Sequence, residues 1–333
     1  MDRRRPVMRI GTRKSDLALA QARMLAEACS DVDHTFCWEL AELMTAGDAI
    51  QNRPLYAFEG KGMFVSAFEK ALLEGEMDVA VHSGKDMPVD MPPELITGAV
   101  LPRGNPMDVL VTVRGKCPAQ GGVIGTASLR RREQVKQSMG CKTQMVRGNV
   151  ITRLQKLLAG EVDGLILAAA GLERLALLPG ETQGRGPGGA DGREPFRGAY
   201  GTLSRSAVRE RFSFQVLEET TFLPAAAQGI IAVQCRRDSP YRGLLAQVND
   251  RETMYSFLAE RAFLRAMGAD CHQPAAAYSR CRDGVLQMDA AYWQDGTCFR
   301  SSVRGPAEQS ETLGREAAEK IMAVIQDAGN GNR

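Results

Sequence analysis

The fold is decided by Arg9-Ile10-Gly11-Thr12-Arg13-Lys14-Ser15, a stretch that has a second copy later in the chain. The copy reads Val123-Ile124-Gly125-Thr126-Ala127-Ser128. Each begins as a short apolar strand, turns at Gly-Thr, and ends in a serine of the type that caps a helix. Helical patterns follow over residues 16–21 and 129–134. The repeat predicts two similar α/β lobes in one chain.

A second matched pair of segments follows these two copies. In the first lobe, a helix over residues 67–73 leads through a turn to a strand over 77–81. In the second lobe, a helix over 153–158 leads to a strand over 163–167. The order strand, helix, strand predicts parallel sheets. Two such lobes favour a ligand cleft between them, lined by the loops at the carboxyl ends of the strands.

Both capped helix starts carry arginines. Arg13 precedes Ser15, and Arg130 and Arg131 follow Ser128. Unpaired backbone N–H groups at a helix start attract anions, and arginine grips carboxylate or phosphate through a planar fork of donors. Serine caps without a ligand are the alternative, and 33 arginines among 42 cationic residues also fit a GC-rich genome. The neighbouring arginines favour an anion site.

Composition excludes several classes of protein. The 333 residues are 44% apolar and 25% charged, with a formal charge of +2, so the chain lacks the basicity that nucleic acid or an anionic membrane would require. No apolar run approaches the roughly 18–20 residues of a membrane span. Eight cysteines without metal-ligand spacing and three histidines predict no metal site. Scattered thiols, and an amino terminus that leads into a strand without a signal peptide, predict a cytoplasmic location.

The densest candidate for chemistry is the segment Val81 to Pro88, which comes directly after an apolar strand. It places His82, Ser83, Lys85 and Asp86 at a strand end, where α/β proteins build their sites. An acid beside a cation could act as a general acid or stabilise a cationic intermediate. A turn with a surface ion pair is the alternative.

A similar strand end occurs in the second lobe. Arg147 and Gly148 precede Asn149, a residue suited to cap a helix, and Arg153 follows one turn later. Gly148 allows close backbone approach to a ligand or a tight turn. An ordinary strand-to-helix turn is the alternative.

Two polar stretches have no periodic pattern. Residues 45–60, before Lys61 and Phe64, could form a lid or a disordered connection. Residues 180–201 hold eight glycines and two prolines. They predict an exposed, mobile insertion that buries no core.

A third unit begins near Asn249. It has an amphipathic helix over residues 253–267, a loop with Cys271, and a final helix over 308–327. A nucleophilic cysteine needs a nearby base and a positive field. His272 is adjacent in sequence, but neighbouring side chains usually diverge, so the residues alone favour an inert or surface thiol.

Taken in order, these segments resemble the porphobilinogen deaminase (hydroxymethylbilane synthase) family along nearly the whole chain. The shared motifs are Arg9-Ile10-Gly11-Thr12-Arg13-x-Ser15, Lys61-Gly62-x-Phe64, His82-Ser83-x-Lys85-Asp86-x-Pro88, Gly125-Thr126-x-Ser128-Leu129-Arg130-Arg131, Arg147-Gly148-Asn149, Leu167-Ala168-Ala169-Ala170-Gly171, Gln228-Gly229, and Glu260-Arg261-Ala262-Phe263-Leu264 leading to Cys271. Any one motif could occur by chance, but the ordered set is specific.

The resemblance implies an α/β protein of three domains. Two doubly wound, periplasmic-binding-protein-like lobes surround a cleft, and a smaller C-terminal α/β domain carries the cofactor cysteine. We expect lobe 1 to comprise residues 8–102 and 228–246, and lobe 2 to comprise residues 106–224 with the insertion. The C-terminal domain is expected over residues 250–333.

The resemblance also implies a transferase activity in tetrapyrrole biosynthesis. Four porphobilinogen molecules are joined head to tail on a dipyrromethane attached by a thioether to Cys271, each losing ammonia, and hydrolysis releases hydroxymethylbilane. Asp86 is implied as the catalytic residue, which stabilises an azafulvenium cation. The implied cofactor- and substrate-binding residues are Arg13, Ser15, Lys61, Phe64, His82, Ser83, Lys85, Thr126, Ser128, Arg130, Arg131, Arg147, Gly148, Arg153, Ala170 and Gln228.

We expect a monomer whose partner is the small-molecule substrate porphobilinogen, with no nucleic acid, membrane or metal. The alternative function is a non-catalytic two-lobed binding protein for carboxylate-bearing oligopyrroles. Retention of both Asp86 and Cys271 argues against that alternative.

The chain departs from the family pattern around the proposed site. Gly84 replaces a bulky apolar residue, which predicts a looser turn before Asp86. Ala227 replaces a glycine and Gln234 replaces a glutamate. Asp270 adds a carboxylate beside the cysteine that would carry a polyanionic cofactor, which is unfavourable unless its side chain points away.

Overall fold

The computed structural model describes residues 7–43, 67–178, 196–198, 201–269 and 273–330. Numbered in chain order, its strands and helices are β1 (Met8–Arg13), α1 (Asp16–Val32), β2 (Trp38–Leu43), α2 (Ala67–Leu73), β3 (Val79–Ser83), β4 (Leu95–Val100), β5 (Asp108–Val113), β6 (Val123–Gly125), α3 (Leu129–Met139), β7 (Lys142–Gln144), α4 (Val150–Leu158), β8 (Gly164–Ala168), α5 (Ala169–Arg174), β9 (Phe196–Gly198), β10 (Gly201–Leu203), α6 (Arg205–Arg211), β11 (Phe212–Val216), β12 (Ile231–Arg236), α7 (Arg242–Val248), α8 (Arg251–Ala266), β13 (Ala275–Arg282), β14 (Val285–Gln294), β15 (Thr297–Pro306) and α9 (Ser310–Asn330). The helices and strands predicted from the sequence are present. α1 and α3 continue to Val32 and Met139, beyond the predicted ends at residues 21 and 134, and the other bounds shift by up to three residues.

Lobe 1 is built on a five-stranded sheet with the strand order β2-β1-β3-β12-β4. β1 runs parallel to β2 and β3, whereas β12 runs antiparallel to both β3 and β4. Helices α1 and α7 pack against this sheet. Fully buried Ile10, Leu25, Val79 and Val233 belong to its core, and side chains of this size each contribute about 1.5–3 kcal/mol when buried.

Lobe 2 has a second five-stranded sheet with the equivalent strand order, β7-β6-β8-β5-β11. β6 runs parallel to β7 and β8, and β5 runs antiparallel to β8 and β11. The two sheets therefore match strand for strand, and the internal repeat predicted from the sequence is confirmed.

The prediction of wholly parallel sheets is wrong for one strand position in each lobe. The fourth strand, β12 in lobe 1 and β5 in lobe 2, arrives after the chain has crossed from the other lobe. No strand-helix-strand unit links it to its neighbour, so the rule that produces parallel pairs does not apply to it. The division into domains at the residue numbers given above stays a prediction.

The end of the glycine-rich stretch packs into lobe 2. β9 and β10 pair in antiparallel orientation, and Phe196 is buried in the core beside Leu203 and Phe212. The expectation that residues 180–201 bury no core is therefore wrong at Phe196, whose aromatic ring the glycine content concealed. Residues 179–195 and 199–200 lie outside the described residues.

Two segments, residues 101–107 and 217–230, connect the lobes. They run against each other where Gly104 N donates to Gly229 O at 3.1 Å. Gly229 has a φ of +86°, and a Cβ at this position would lie 2.5 Å from Gly104 O. Only glycine therefore fits this backbone conformation and this close approach.

The C-terminal domain is a three-stranded antiparallel sheet, β13-β14-β15, against which α8 and α9 pack. Phe263, Leu286, Met288 and Ile321 are fully buried in its core. The domain also reaches lobe 2, where the Trp293 indole donates to Gln137 Oε1 at 3.0 Å. Across the described part of the chain, no helix combines the length and the apolar character needed to cross a membrane.

Candidate active site

Asp86 ends a short 3-10 turn that directly follows β3. The turn is fixed by its surroundings, because Gly84 N donates to Ile230 O at 2.8 Å and Gln21 Nε2 donates to Ser83 Oγ at 2.9 Å. The Asp86 residue is exposed. A fixed turn therefore presents a carboxylate at the carboxyl end of a strand, the location that the sequence predicted.

The turn is tightly packed rather than loosened at Gly84. A Cβ at Gly84 would lie 3.1 Å from Ala227 Cβ and 3.3 Å from Ile230 Cβ. Ala227 has a φ of +58° and is 2% exposed. The methyl group of Ala227 occupies space beside Gly84, so the two departures from the family pattern fit each other in size.

Lys85 points across the junction of the lobes. Its Nζ donates to Gln228 Oε1 at 3.2 Å, and among the described side chains it forms no ion pair with Asp86, so the surface ion pair considered from the sequence is not present. Burial, together with the nearby Arg131, lowers the pKa of Lys85 to about 8.

His82 lies beneath the turn and is neutral at neutral pH. Burial lowers the pKa of its imidazole to about 4, and Nε2 lies 3.1 Å from Gln234 Oε1. Gln234 in turn donates through Nε2 to Glu69 Oε1 at 3.2 Å. The ring of Phe68 packs edge-on against the imidazole at 5.3 Å. These contacts join the His82 side chain to β12 and to α2.

The structure adds Asp108, a residue that the sequence analysis missed. It is fully buried at the start of β5 and forms ion pairs with Arg131 Nη2 at 2.6 Å and Arg130 Nη1 at 2.8 Å. Burial alone would raise its pKa, but the two guanidinium groups hold the pKa of Asp108 below its usual range. The sequence does contain a signal for this residue, because Asp108 is the one acid in the otherwise apolar segment 107–111.

Arg130 and Arg131, which the sequence predicts to bind the ligand, already pair with Asp108 inside the protein. Their binding of a ligand stays a prediction. They are 3% and 6% exposed, and each also donates to a backbone carbonyl, of Leu223 at 2.7 Å and of Ile166 at 2.8 Å. Burial requires such partners for an ionised group. The Nε of Arg130 is buried without a hydrogen-bond partner among the described residues, so this pair retains one unused donor.

The predicted helix caps of both lobes are confirmed. Ser15 Oγ accepts from Ala18 N at 3.3 Å, and Ser128 Oγ accepts from Arg131 N at 3.4 Å. Thr126, which is buried, accepts through Oγ1 from Ser128 N at 3.2 Å. Beside the first cap, Arg13 is exposed.

The turn before α4 carries the remaining predicted arginines. Gly148 has a φ of +116°, a value that favours glycine, and a Cβ there would lie 2.7 Å from Thr152. Arg153 Nε donates to Gly148 O at 2.8 Å. Burial, together with Arg131 and Arg147 and against an opposing effect of Asp86, lowers the pKa of Arg153 to about 10. The pKa of Arg153 thus responds both to cations of lobe 2 and to Asp86 of lobe 1, so these charged groups interact electrostatically across the two lobes.

Gln228 forms hydrogen bonds with charged residues of both lobes. Its Oε1 accepts from Lys85 in lobe 1, and its Nε2 donates to Asp108 Oδ1 at 3.0 Å and to Pro106 O at 2.7 Å. Ala170 is buried and its N–H donates to Asn105 O at 3.2 Å. Both predicted residues thus pack at the connecting segments.

Three predicted site residues lie outside the described residues, namely Lys61, Phe64 and Cys271, together with Asp270 and His272. The proposed lid at residues 45–60 also lies outside them, and these predictions remain predictions.

The site combines an exposed carboxylate with several cations where the two lobes meet. A pair of capped helix starts, one in each lobe, adds backbone N–H groups. Such a site suits a ligand with several carboxylates on which positive charge develops near Asp86. The fold and the site together define a two-lobed α/β protein that binds an anionic ligand between its lobes.

The chain belongs to the porphobilinogen deaminase family. The family profile "Porphobilinogen deaminase, dipyromethane cofactor binding domain" matches residues 8–184, and the profile of the C-terminal domain of porphobilinogen deaminase matches residues 254–323. Both profiles fall on the segments that carry the sequence motifs.

Curated relatives named porphobilinogen deaminase match almost the full chain. The protein of Acetivibrio thermocellus is 33% identical, over 95% of this chain and 98% of its own. That of Alkaliphilus metalliredigens is 35% identical, over 98% and 97%, and that of Bacillus subtilis is 35% identical, over 97% and 93%. Among solved structures, an arginine transport system periplasmic binding protein from Legionella pneumophila covers 73% of this chain and 90% of its own, at 10% identity and a TM-score of 0.38.

The described residues fit the dipyrromethane group that the matched profile names. A pyrrole chain with carboxylate arms needs several cations and N–H donors, and the exposed Arg13, the partly buried Lys85 and Arg153, and the unused Arg130 Nε provide them. The family is one of transferases, and its first profile is a cofactor-binding domain.

Proposed function

We propose that the chain catalyses the porphobilinogen deaminase reaction, in which four porphobilinogen molecules are condensed head to tail with loss of four ammonia molecules, and water then releases the tetrapyrrole as hydroxymethylbilane. The observation that carries the proposal is Asp86, an exposed carboxylate on a fixed turn within the field of Lys85, Arg131 and Arg153. Membership of the family supports the same reaction.

Asp86 acts where positive charge develops on the substrate. As the aminomethyl C–N bond of porphobilinogen breaks, ammonia leaves with the electron pair and the pyrrole becomes cationic. A new C–C bond then forms to the free α-carbon of the growing chain, which loses its proton. A carboxylate placed beside the pyrrole N–H stabilises that charge without reorganising.

The cations hold the carboxylate arms of the substrate and the growing chain. Each ring brings an acetate and a propionate, so negative charge accumulates as the chain lengthens. Arg13, Arg147 and Arg153 would grip these groups through forked hydrogen bonds, and Lys85 would add a point charge. The helix starts at Ser15 and Ser128 would contribute backbone N–H groups.

Cys271 is the proposed anchor of the dipyrromethane, joined through a thioether. When bound, this group supplies the α-carbon to which the first substrate is attached. We further propose that the enzyme works as a monomer in the cytoplasm, supported by the seven free cysteines among the described residues.

The first prediction tests Asp86. Asp86→Asn keeps the shape of the side chain but removes its charge, so the rate of hydroxymethylbilane formation should fall by about a hundredfold or more. The matched control is Asp90→Asn, an exposed acid on the same segment, which should retain the wild-type rate. Circular dichroism should show an unchanged fold in both variants.

Intact mass spectrometry separates the enzyme from a non-catalytic binding protein. Protein made in a host with ample porphobilinogen should carry a covalent addition of two pyrrole units, absent from Cys271→Ser. An unmodified wild-type mass, or an Asp86→Asn variant that turns over normally, would contradict the proposed function.

A further inference from the structure

The segment after the catalytic turn is held by the C-terminal domain. Arg261, on α8, donates through Nη1 to Met87 O at 3.2 Å and through Nη2 to Val89 O at 2.8 Å. Its Nη2 also donates to Pro88 O. One guanidinium thus binds three consecutive carbonyls that begin directly after Asp86.

These bonds supply partners to a stretch that has no regular structure of its own. Residues 87–89 belong to neither a helix nor a strand, and Pro88 lacks a backbone N–H. Met87 is buried, so unpaired carbonyls beside it would be costly. Met87 O and Pro88 O therefore depend on Arg261 for a donor, whereas Val89 O also accepts from Arg265 Nη2 at 2.9 Å.

Arg261 is itself buried, so few groups other than these carbonyls are within its reach. It is 6% exposed and its guanidinium lies over the ring of Phe257 at 5.1 Å. Among the described residues it forms no ion pair, so its charge is balanced by backbone carbonyls and by the aromatic face. Burial lowers its pKa to about 10, which leaves it charged at neutral pH.

The neighbouring residue on α8 holds the connection between the lobes. Glu260, which is fully buried, accepts from Arg103 Nη1 at 2.6 Å and from Ala227 N at 2.5 Å. Ala227 is the residue packed against Gly84 in the turn. Through Glu260 and Arg261, one helix of the third domain touches both supports of the turn.

We propose that Arg261 is a positioning residue for Asp86, acting through the backbone of residues 87–89. α8 ends at Ala266, five residues before Cys271. The helix that leads to the proposed cofactor anchor therefore also sets the position of the acid that must face the growing chain. The expected effect on kcat rests on the proposed function, whereas the structural role of Arg261 in holding residues 87–89 does not.

The test compares Arg261→Lys with Arg251→Lys in the full-length holoenzyme. Lysine keeps the positive charge but cannot span three carbonyls, so kcat should fall by about tenfold to a hundredfold, with a smaller change in KM. Arg251 lies on the same helix, is 76% exposed, and contacts Tyr255, so its variant should match the wild type. The intact mass should show the same cofactor addition in all three proteins.

A second measurement does not depend on activity. Amide hydrogen exchange of residues 84–90 should be faster in Arg261→Lys than in Arg251→Lys, with exchange in β3 unchanged. Unchanged exchange and an unchanged kcat in Arg261→Lys would overturn the proposal, as would a kcat loss that only tracks loss of the cofactor mass. If the wild type lacks deaminase activity the proposed function fails, whereas exchange still decides whether Arg261 holds the turn.

Discussion

The two copies of the repeat each place a serine that caps a helix, but the arginines beside the two caps differ in burial. In lobe 1 the cap at Ser15 has an exposed arginine beside it, Arg13. In lobe 2 the cap at Ser128 is followed by two arginines that are buried around Asp108. A local repeat therefore specifies the helix start, while a distant acid, Asp108, holds the adjacent arginines of lobe 2 in buried ion pairs.

The arginines beside the two caps therefore have different structural surroundings. The buried cluster of lobe 2 lies beside the connecting segments, since Asp108 and Arg131 both contact Gln228. It builds the junction on which the site rests. Arg13 of lobe 1 is exposed, and its proposed role is to bind the carboxylates of the ligand.

The largest expected effect is on stability, from Asp108→Asn. This change leaves two buried guanidinium groups without their counter-ion, which should lower the free energy of unfolding by about 3–5 kcal/mol. The matched change in lobe 1, Asp78→Asn, breaks the partly exposed pair with Arg9, whose Nη2 lies 3.0 Å from Oδ1. It should cost only about 1 kcal/mol. Urea unfolding at pH 7 measures both.

The contribution of Asp108 to the free energy of unfolding should also depend on pH, in a direction that its pKa determines. The folded-state pKa of Asp108 is below its usual range, so its contribution to stability is present above the unfolded pKa of about 3.9 and is lost as the pH falls below it. The difference between wild type and Asp108→Asn should therefore shrink under acid. Equal costs for Asp108→Asn and Asp78→Asn at pH 7 would remove the distinction between the lobes.

The next effect concerns catalysis, from Arg13→Leu. Because Arg13 is exposed, the free energy of unfolding should change by no more than about 0.5 kcal/mol. Loss of a charge-assisted bond to a substrate carboxylate should lower kcat/KM by about tenfold to a hundredfold, corresponding to the 1.5–3 kcal/mol typical of hydrogen bonds to charged groups. Steady-state kinetics and urea unfolding on the same preparation test it. A large loss of stability with normal kinetics would give Arg13 the role assigned to its lobe 2 counterparts.

These contrasts also show what the sequence could and could not predict. The repeat, the serine caps, Asn149 as a cap, and the position of Asp86 at a strand end all depend on neighbours in sequence, and the structure has them. The pairing of Asp108 with Arg130 and Arg131 joins residues more than 20 positions apart, and no local pattern indicates it.

Size complementarity was equally invisible from local pattern. Gly84 and Ala227 are 143 positions apart in sequence and fit together only after β12 has returned to lobe 1 beside β3. The same return makes β12 antiparallel, against the prediction. Local signals thus predicted the helices and strands. The antiparallel direction of β12 and the contact between Gly84 and Ala227 follow from the crossing of the chain between the lobes, which no local signal indicates.

The smallest effect is a shift in pH dependence at Lys85, a lobe 1 cation that interacts electrostatically with Arg131 and Asp108 of lobe 2. Burial and the neighbouring Arg131 lower the pKa of Lys85 to about 8. Its ammonium is charged below this pH and neutral above it, so attraction for an anionic substrate should weaken as the pH rises through 8. The profile of kcat/KM should therefore have an alkaline limb near pH 8, since this parameter reports the free enzyme. In Lys85→Arg the cation persists to higher pH, and the limb should move upward even if the maximal rate is reduced. A limb that stays near pH 8 in Lys85→Arg would assign the titration to another group and show that the field of lobe 2 does not reach Lys85.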